Sequence, residues 1–389
     1  MTSPSVLLVA GAYYPEISAA GLQCQAVAAI LKDRARVAVL ATAVDPSLPA
    51  GEAIDGVPVH RVRVDVRSGA SKAGATIRLL ATLGRLLPGV DVVHVHGFSQ
   101  KNLPVALAAK AMGKPVVLTL HTSGQDEPQA AAARGRLGDW AFRSARLILP
   151  VSPNLARRCE DAGISPSKIR LTPNGLDLQR FRPASAAEKA ALRRDIGWRD
   201  DERVVLFVGF FSRDKRPDLL FRAWQRVVAR GIAAKLVYVG ATASPYFEID
   251  QSLASDIRAQ AAAMGRENDV VFVPPTHAME RYYRAADVFV LASVREAHPV
   301  ALLEAMACGL ACIASRIEGA TDVVVDDGVN GRLVASDDEP AFAAALADLV
   351  SRPDEAGRLG RKAPEIVAAR YDIQQTAGRW MDAYRAVLA

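Results

Sequence analysis

The stretch from Ala292 to Ser315 reads ASVREAHPVALLEAMACGLACIAS and predicts a buried helix followed by a buried strand. Pro299 suits the first turn of a helix, because its missing N–H would have no partner there. Gly309 suits the end of that helix, and the apolar LACIA segment after it is typical of a strand in a sheet core. A helix followed directly by such a strand indicates a parallel sheet built from β–α–β units.

Two glutamates flank the start of the predicted helix. Glu304 falls in its second turn, where a buried carboxylate is unfavourable without a polar partner, so we expect a polar group to meet it. Glu296 lies eight residues earlier in the entering loop, close to backbone N–H groups near Pro299 and Val300 that can face an anion. Two carboxylates around an anion site suit a ligand with hydroxyl groups at both ends and a phosphate between them. A nucleotide sugar has this shape.

Length and composition indicate an ordinary two-domain α/β protein. The chain has 389 residues, more than one compact core usually holds, and half of them are hydrophobic. No apolar run reaches the roughly eighteen residues that span a bilayer, and Val6–Ala10 is too short for the core of a signal peptide. The four cysteines are scattered and lack a metal or redox spacing, which favours free thiols in a reducing cytoplasm.

Positive charge is concentrated in the first half of the chain. Residues 1–180 contain 21 Lys and Arg against 13 Asp and Glu, whereas the remainder contains 27 against 29. The excess is consistent with an ordinary solvated surface, but it also suits an anionic partner, either a phosphate-bearing acceptor or the inner face of a membrane. A nucleic-acid partner is not expected, because no basic helix with interleaved aromatic residues occurs.

Strand-like apolar runs alternate with helical patterns in both halves, which predicts two Rossmann-like domains with parallel sheets. The expected strands are Val6–Ala10, Val37–Ala41, Val57–Val64, Val92–His96, Val116–Leu120, Leu147–Val151, Ile169–Leu171, Val204–Val208, Lys235–Val239, Val270–Val273, Val288–Leu291 and Ala311–Ala314. The Thr172–Pro183 segment lacks periodicity and is expected to join a domain of residues 1–180 to one of residues 181–372. A last amphipathic helix is expected within residues 373–389. Because ligands bind beyond the carboxyl ends of parallel strands, two facing sheets would form a cleft.

Several polar residues follow predicted strands. The turn GFFSRDKRPD, from Gly209 to Asp218, brings Arg213 and Lys215 close together, either as a solvated basic turn or to neutralise a leaving diphosphate. His121 follows the VVLTL strand and is a candidate for catalysis as well as for a structural role. No Asp-x-Asp sequence occurs, so a metal-held diphosphate is not indicated. The first loop lacks the G-x-G-x-x-G spacing, which makes a nicotinamide enzyme a distant alternative.

The order of these motifs resembles the family 4 retaining glycosyltransferases, which have the GT-B fold. The resemblance covers nearly the whole chain and is strongest in the pair of glutamates separated by seven residues. The matching segments are the Gly21 loop, DVVHVHG (Asp91–Gly97), LTLHTSG (Leu118–Gly124), PNGLD (Pro173–Asp177), VLFVGFFSRDK (Val205–Lys215) and REAHPVALLEAMACG (Arg295–Gly309). It implies two Rossmann-like domains facing across a deep cleft, with the C-terminal helix crossing back to the first domain.

The resemblance also implies roles for individual residues. Lys215 would stabilise the diphosphate as the sugar bond breaks, and Glu296 would hold hydroxyl groups of the donor sugar. Glu304 would hold the ribose hydroxyls, His121 would contact the sugar near the reacting carbon, and Gly21 would approach the diphosphate. The further donor-binding candidates are Gly209, Arg213, Thr276, His298, Pro299 and Val300.

Two departures from the family pattern concern the donor site. Phe210 stands where the family usually has an arginine, a charge that Arg213 is a candidate to replace. Ala297, His298 and Pro299 replace the usual Gly-Phe-Gly, which alters the expected sugar pocket.

The sequence therefore predicts a retaining, metal-independent hexosyltransferase that needs no cofactor and uses a UDP- or GDP-linked sugar. The expected acceptor is a polysaccharide, glycolipid or lipid-linked precursor, and the expected location is the cytoplasm, with peripheral contact to an anionic membrane. A non-catalytic nucleotide-sugar binder and a nucleotide-sugar epimerase are the alternatives.

Overall fold

The computed structural model describes residues 3–243 and 249–389. The chain forms two compact units, the first ending at Gly175 and completed by Ile373–Ala389, the second comprising Leu176–Asp372. The first join, predicted at residues 180/181, falls at 175/176. The second join falls at 372/373.

The strands of the described residues form one parallel sheet in each unit, apart from a single antiparallel edge pair. In chain order the strands are β1 Ser5–Ala10, β2 Arg36–Ala43, β3 Gly51–Ile54, β4 Val57–Arg63, β5 Val92–His96, β6 Val116–Leu120, β7 Leu147–Pro150, β8 Val204–Val208, β9 Lys235–Val239, β10 Val270–Val273, β11 Val288–Leu291, β12 Ala311–Arg316 and β13 Arg332–Ala335. The first sheet has the order β3-β4-β2-β1-β5-β6-β7, and the second has the order β10-β9-β8-β11-β12-β13.

Helices connect the strands and cover the sheets. In chain order they are α1 Ala19–Leu31, α2 Gly69–Leu86, α3 Asn102–Ala111, α4 Pro128–Ala132, α5 Arg136–Arg143, α6 Pro153–Asp161, α7 Ala186–Ile196, α8 Pro217–Val228, α9 Gln251–Ala263, α10 Met279–Ala285, α11 Val300–Ala307, α12 Glu339–Ser351, α13 Pro353–Tyr371 and α14 Ile373–Leu388. Short 3₁₀ helices span Leu87–Gly89 and Pro166–Lys168.

The strand predictions are confirmed except in three places. Ile169–Leu171 is not a strand, since only an isolated bridge joins Ile169 to Ile148. The short strand β3 was not predicted, because its sequence GEAI is polar and exposed. It pairs with β4 across a two-residue turn in which Asp55 and Gly56 both have positive φ, the backbone that favours hairpins. The short edge strand β13 was not predicted either.

The two faces of the first sheet are covered by different helices. The chain moves from β1 to β2 in one direction across the sheet, but from β4 to β5, β6 and β7 in the other. Because such crossovers are right-handed, α2, α3 and α5 lie on the face opposite to α1. On the α1 face, α14 packs against α1, with Trp380 and Tyr384 fully buried in the core of the first unit.

The core of the second unit also lies on both faces of its sheet. Trp224 and several phenylalanines pack on one face, while the buried face of α11 packs on the other. The strands β8, β9, β11 and β12 are apolar on both faces, as expected for central strands of a parallel sheet. The carboxyl ends of β8 and β11 are adjacent, because these strands pair directly. Loops that follow them therefore meet at one edge.

Candidate functional site

The helix α11 begins one residue later than the sequence predicts. Pro299 is the residue that caps the helix, with φ −75° and ψ 97°, and Val300 is its first residue. The predicted first-turn position of Pro299 is therefore wrong by one residue, because its extended backbone does not continue into the helix. The loop from Ala292 to Pro299 places Glu296 beside the N-terminal end of α11, as the sequence indicates.

Lys215 and Glu296 form a direct ion pair. The Lys215 Nζ lies 2.6 Å from Glu296 Oε1, and the glutamate side chain is only 8% exposed. Lys215 lies in the loop after β8, where its backbone N–H donates to the Ser212 carbonyl oxygen at 3.1 Å. The structure thus brings together a cation and a carboxylate that are 81 residues apart in the chain.

Asp214 ties the two loops that carry this ion pair. Its carbonyl oxygen accepts a hydrogen bond from the Val294 N–H at 2.8 Å, and its carboxylate pairs with Arg295. This role could not be predicted from the sequence, because an acid within a basic turn is typical of an ordinary surface. Asp214 therefore holds the loop after β8 against the loop after β11.

The neighbouring arginine has a different partner. Arg213 lies 2.8 Å from the Asp250 carboxylate, and its side chain is 80% exposed. Asp250 also caps the N-terminus of α9. The replacement of the usual arginine charge at Phe210 by Arg213 therefore stays a prediction.

Two glycines are required by close backbone approaches. A Cβ on Gly240 would lie 2.0 Å from the Gly209 carbonyl oxygen, so the loops after β8 and β9 pack backbone against backbone. A Cβ on Gly21 would lie 2.2 Å from the Ala12 carbonyl oxygen. Packing alone thus accounts for Gly21, and the predicted approach of Gly21 and Gly209 to a diphosphate stays a prediction.

Glu304 has a strongly perturbed acidity. Burial raises its pKa to about 7, while the Tyr283 hydroxyl and the Arg180 guanidinium lower it and Glu280 raises it. Arg180 forms its own ion pair with Glu280 at 2.8 Å, so its positive charge is shared. A partly buried carboxylate with a pKa near neutrality is suited to accept hydrogen bonds from ligand hydroxyl groups once it is ionised.

Thr276 and His298 contribute differently to this region. The Thr276 hydroxyl oxygen accepts a hydrogen bond from the Ala278 N–H at 3.1 Å and thereby shapes the loop after β10. His298 is buried and contacts the ring of Tyr371, with the ring centres 5.0 Å apart. Burial lowers the pKa of His298 to about 3, so the ring is neutral at pH 7. His298 therefore packs against Tyr371 as a neutral ring, and its contact with the donor stays a prediction.

In the first unit, His121 belongs to a row of histidines. Its Nε2 atom lies 3.1 Å from Nδ1 of His96, and the two rings stack. The His96 ring also lies against His94, whose nitrogens bond to the Tyr384 and Thr119 hydroxyl groups at 2.8 and 2.7 Å. Contacts between neighbouring rings thus link His94 through His96 to His121.

The histidine row is neutral at physiological pH. Burial, and to a smaller extent the nearby Lys101 ammonium, lowers the pKa of His121 to about 4, while Asn174 opposes the shift. Burial lowers the pKa of His94 to about 3 and that of His96 well below 6.5. His121 is therefore able to offer a neutral imidazole rather than a cation.

Asp126 joins the loops that follow β5 and β6. Its carboxylate accepts hydrogen bonds from the backbone N–H groups of Phe98, His121 and Thr122 at 2.6, 2.8 and 2.9 Å. Burial raises the pKa of Asp126, although these three hydrogen bonds oppose the change. The role of Asp126 could not be predicted from the sequence, since its partners are brought together by the pairing of β5 with β6.

A metal site is not apparent in residues 3–243 and 249–389. No group of three or more His, Cys, Asp or Glu side chains in these ranges is arranged to hold a metal ion.

Comparisons with known proteins match both halves of the chain. A family model described as "Glycosyltransferase Family 4" matches residues 24–180, and one described as "Glycosyl transferases group 1" matches residues 188–366. A D-inositol 3-phosphate glycosyltransferase of Saccharomonospora viridis is 33% identical over 77% of this chain and 70% of its own. D-inositol 3-phosphate glycosyltransferase 2 of Catenulispora acidiphila is 29% identical over 86% of this chain and 82% of its own.

A solved structure has a similar fold. The crystal structure of Anabaena Alr3699/HepE in complex with UDP-glucose superposes with a TM-score of 0.79. The match covers 98% of this chain and 99% of that chain, at 18% sequence identity.

Proposed function

The chain belongs to the family 4 glycosyltransferases and has their GT-B fold, and from this premise we propose that it transfers a hexose-type sugar, with retention, from a nucleotide diphosphate donor to an acceptor hydroxyl group. The observation that carries the proposal is the contact of 2.6 Å between Lys215 and Glu296 beside the start of α11. It combines a cation for the diphosphate with an acceptor of sugar hydroxyl hydrogen bonds. UDP and GDP are the proposed nucleotides.

The proposed roles follow from the chemistry of each group. The Lys215 ammonium and the N–H groups at the start of α11 balance the negative charge that develops on the leaving diphosphate. The Glu296 carboxylate accepts hydrogen bonds from the donor sugar, and that of Glu304 accepts them from the ribose. The acceptor oxygen bonds to the anomeric carbon as the bond between that carbon and the diphosphate oxygen breaks. The proton of the acceptor hydroxyl group passes to the departing diphosphate. This reaction needs neither a separate protein base nor a metal ion.

The acceptor is proposed to carry a negative charge. The relatives' names contain D-inositol 3-phosphate, which supports a phosphorylated polyol, whereas a polysaccharide, glycolipid or lipid-linked precursor is the prediction from the sequence. The net positive charge of residues 1–180 supports a phosphate-bearing acceptor of either kind.

The reaction is proposed to take place in the cytoplasm, at the inner face of an anionic membrane. The four cysteines are free thiols, as expected in a reducing compartment. Within the described residues, no helix has both the length and the apolar character required to cross a membrane.

The experiment that tests the proposal is a donor screen followed by a turnover assay. UDP-, GDP- and ADP-sugars are compared for the thermal shift they cause, and the best donor is incubated with D-inositol 3-phosphate and with lipid-linked glycans. Release of nucleoside diphosphate that depends on an acceptor supports the proposal. Donor binding without turnover across the panel would instead favour a non-catalytic binder, an alternative motivated by Phe210. Conversion of the donor sugar without an acceptor would favour an epimerase.

A further inference from the structure

The helix α2 has two apolar stripes instead of one. Ala75, Leu79 and Leu83 are buried against the sheet, as expected for a surface helix. Ile77 and Leu80 lie on the other side and are 69% and 41% exposed. Exposed apolar side chains on one helix indicate a surface that meets another apolar phase when neighbouring helices extend them.

The helices packed beside α2 extend this apolar surface. α2 packs against α3, α3 packs against α5, and all three cover the same face of the first sheet. Leu107 and Met112, at the exposed side and end of α3, are 50% and 39% exposed, and Leu137 in α5 is 62% exposed. Five of the nine large exposed hydrophobic residues in the described chain therefore belong to residues 69–146, about a fifth of the sequence.

The same segment carries the positive charge of the protein. Residues 69–146 contain ten Lys and Arg and four Asp and Glu, a balance of +6 that equals that of the whole chain. Two of the four acids serve the fold, because Asp91 accepts a hydrogen bond from the Ser5 N–H and Asp126 accepts three backbone N–H groups. A third, Asp139, pairs with Arg143 on its own helix. The segment that carries these apolar side chains thus has a net positive charge.

We propose that the exposed faces of α2, α3 and α5, the α2–α3–α5 surface, dock onto an anionic lipid bilayer. Apolar side chains among lysines and arginines suit the boundary between acyl chains and anionic headgroups. A second copy of this chain is a poorer occupant, because two surfaces of the same positive charge repel each other. This inference rests on the membrane location proposed above and names the surface that contacts the membrane. Its test measures vesicle binding rather than sugar transfer.

The apolar part of the surface is tested by vesicle flotation of the full chain. We expect the wild type to float with phosphatidylcholine vesicles that contain phosphatidylglycerol, but not with phosphatidylcholine alone, and to be released by salt. The double variant Ile77→Ser with Leu80→Ser should bind at least about tenfold more weakly, because it removes apolar area that the bilayer would bury. The control Val329→Ser, in the second unit, changes a side chain that is 50% exposed and should bind like the wild type.

The charged part is tested with matched variants. Replacing exposed Arg85 and Arg136 by glutamine should weaken binding at least about tenfold, since each basic residue near the surface contributes to binding. The same change at exposed Arg230 and Arg361 of the second unit removes equal charge and should leave binding unchanged.

Three results would overturn the proposal. The first is a wild-type protein that stays unbound at low salt. The second is equal vesicle binding by the Ile77/Leu80 variant, with Leu137→Ser as a second apolar variant should the first melt early. The third is a wild-type dimer, detected by light scattering, that these substitutions dissociate while vesicle binding persists. Because none of these measurements uses donor or acceptor, failure of sugar transfer leaves the inference intact.

Discussion

At the scale of single residues, the proposed donor site depends on charges that the fold brings together. Glu296 is almost fully buried, and the one cation beside it in the described structure, Lys215, comes from another loop. Neither residue type is unusual in the sequence. The order of the motifs around them predicts a donor-binding role for each, but not their direct contact. Asp214 and Asp126, which position the loops, could not be predicted because strand pairing brings their partners close, and most of these partners are backbone N–H groups.

Lys215→Ala should reduce turnover by a hundredfold or more, because one preorganised charge contributes about 2–4 kcal/mol to transition-state stabilisation. The protein should still fold, since Lys215 is 30% exposed and its loop is held through backbone bonds. Steady-state kinetics with the best donor measure the effect, and Lys362→Ala, a lysine 58% exposed in α13, is the control. Unchanged turnover in the Lys215 variant would remove it from the reaction.

Donor affinity should depend on the ionisation of Glu304. In the free protein its pKa is about 7, so a ligand that needs the carboxylate binds more weakly as the pH falls below 7, by up to about tenfold per pH unit. Calorimetric titration with a nucleotide sugar between pH 5.5 and 8 measures this slope. Glu304→Gln should bind more weakly at pH 8 but with little dependence on pH. A wild-type affinity that is flat over this range would contradict the ribose role.

Glu304 should also make stability depend on pH, but in the opposite direction: donor binding strengthens as the pH rises, whereas stability falls. Its folded pKa of about 7 exceeds its ordinary value of 4.5, so the folded state binds more protons between these values. The wild type should therefore lose stability relative to Glu304→Gln as the pH rises from about 5 to 7, by at most about 3 kcal/mol. Chemical denaturation of both proteins measures this difference, in which the contributions of buried histidines cancel.

At the scale of elements, the apolar strands were the most predictable part of the molecule. The central strands β5, β6, β8, β9 and β11 have the predicted bounds, because a central parallel strand is apolar on both faces. The edge strand β10 has its predicted bounds as well. β3 escaped prediction even though Asp55-Gly56 is a hairpin signal that could have revealed it. The histidine row shows the remaining limit. His94 and His96 lie two residues apart on β5 and share one face of the sheet, but the contact of His96 with His121 arises from the register of β5 with β6.

The attachment of α7 to β11 provides an element-scale prediction. Arg193 is 3% exposed, pairs with Asp287 at 2.6 Å and donates to four carbonyl oxygens. Arg193→Met should lower the free energy of unfolding by about 3–5 kcal/mol, because it leaves those buried groups with fewer partners. Urea denaturation measures the loss. The control Arg199→Met breaks an exposed ion pair with Asp201 and should change stability by less than about 1 kcal/mol.

At the scale of the whole molecule, each unit has its own hydrophobic core, and the sequence predicts this division from the repeat of the β–α pattern. Its position was harder to predict, because the PNGLD segment contributes to both sides of the join. Thr376 at the start of α14 donates to the Pro173 carbonyl oxygen, whereas the Leu176 N–H donates to Tyr371 in the second unit. Such backbone pairing leaves no trace in side-chain composition.

The separate cores predict two thermal transitions that respond to different changes. The donor nucleotide is proposed to bind within Leu176–Asp372 and should raise the transition temperature of this second unit. Arg193→Met lies in the same unit and should lower that temperature. Tyr384→Phe should lower the free energy of unfolding of the first unit by about 1–3 kcal/mol, since it deprives buried His94 of a hydrogen bond. The transition temperature of that unit should fall accordingly. Differential scanning calorimetry separates the two, and a single transition shifted equally by both variants would contradict independent cores.

The return of Ile373–Ala389 to the first unit has a consequence for how the protein is made. A ribosome delivers the first sheet long before it synthesises the helix that buries Trp380 and Tyr384 beside α1. Part of the apolar face of the nascent first unit therefore stays uncovered during synthesis. The second unit can complete its core as soon as Asp372 emerges. Translation that stops just short of Ile373 would leave a finished second unit attached to an unfinished first unit, a natural target for chaperones and proteases.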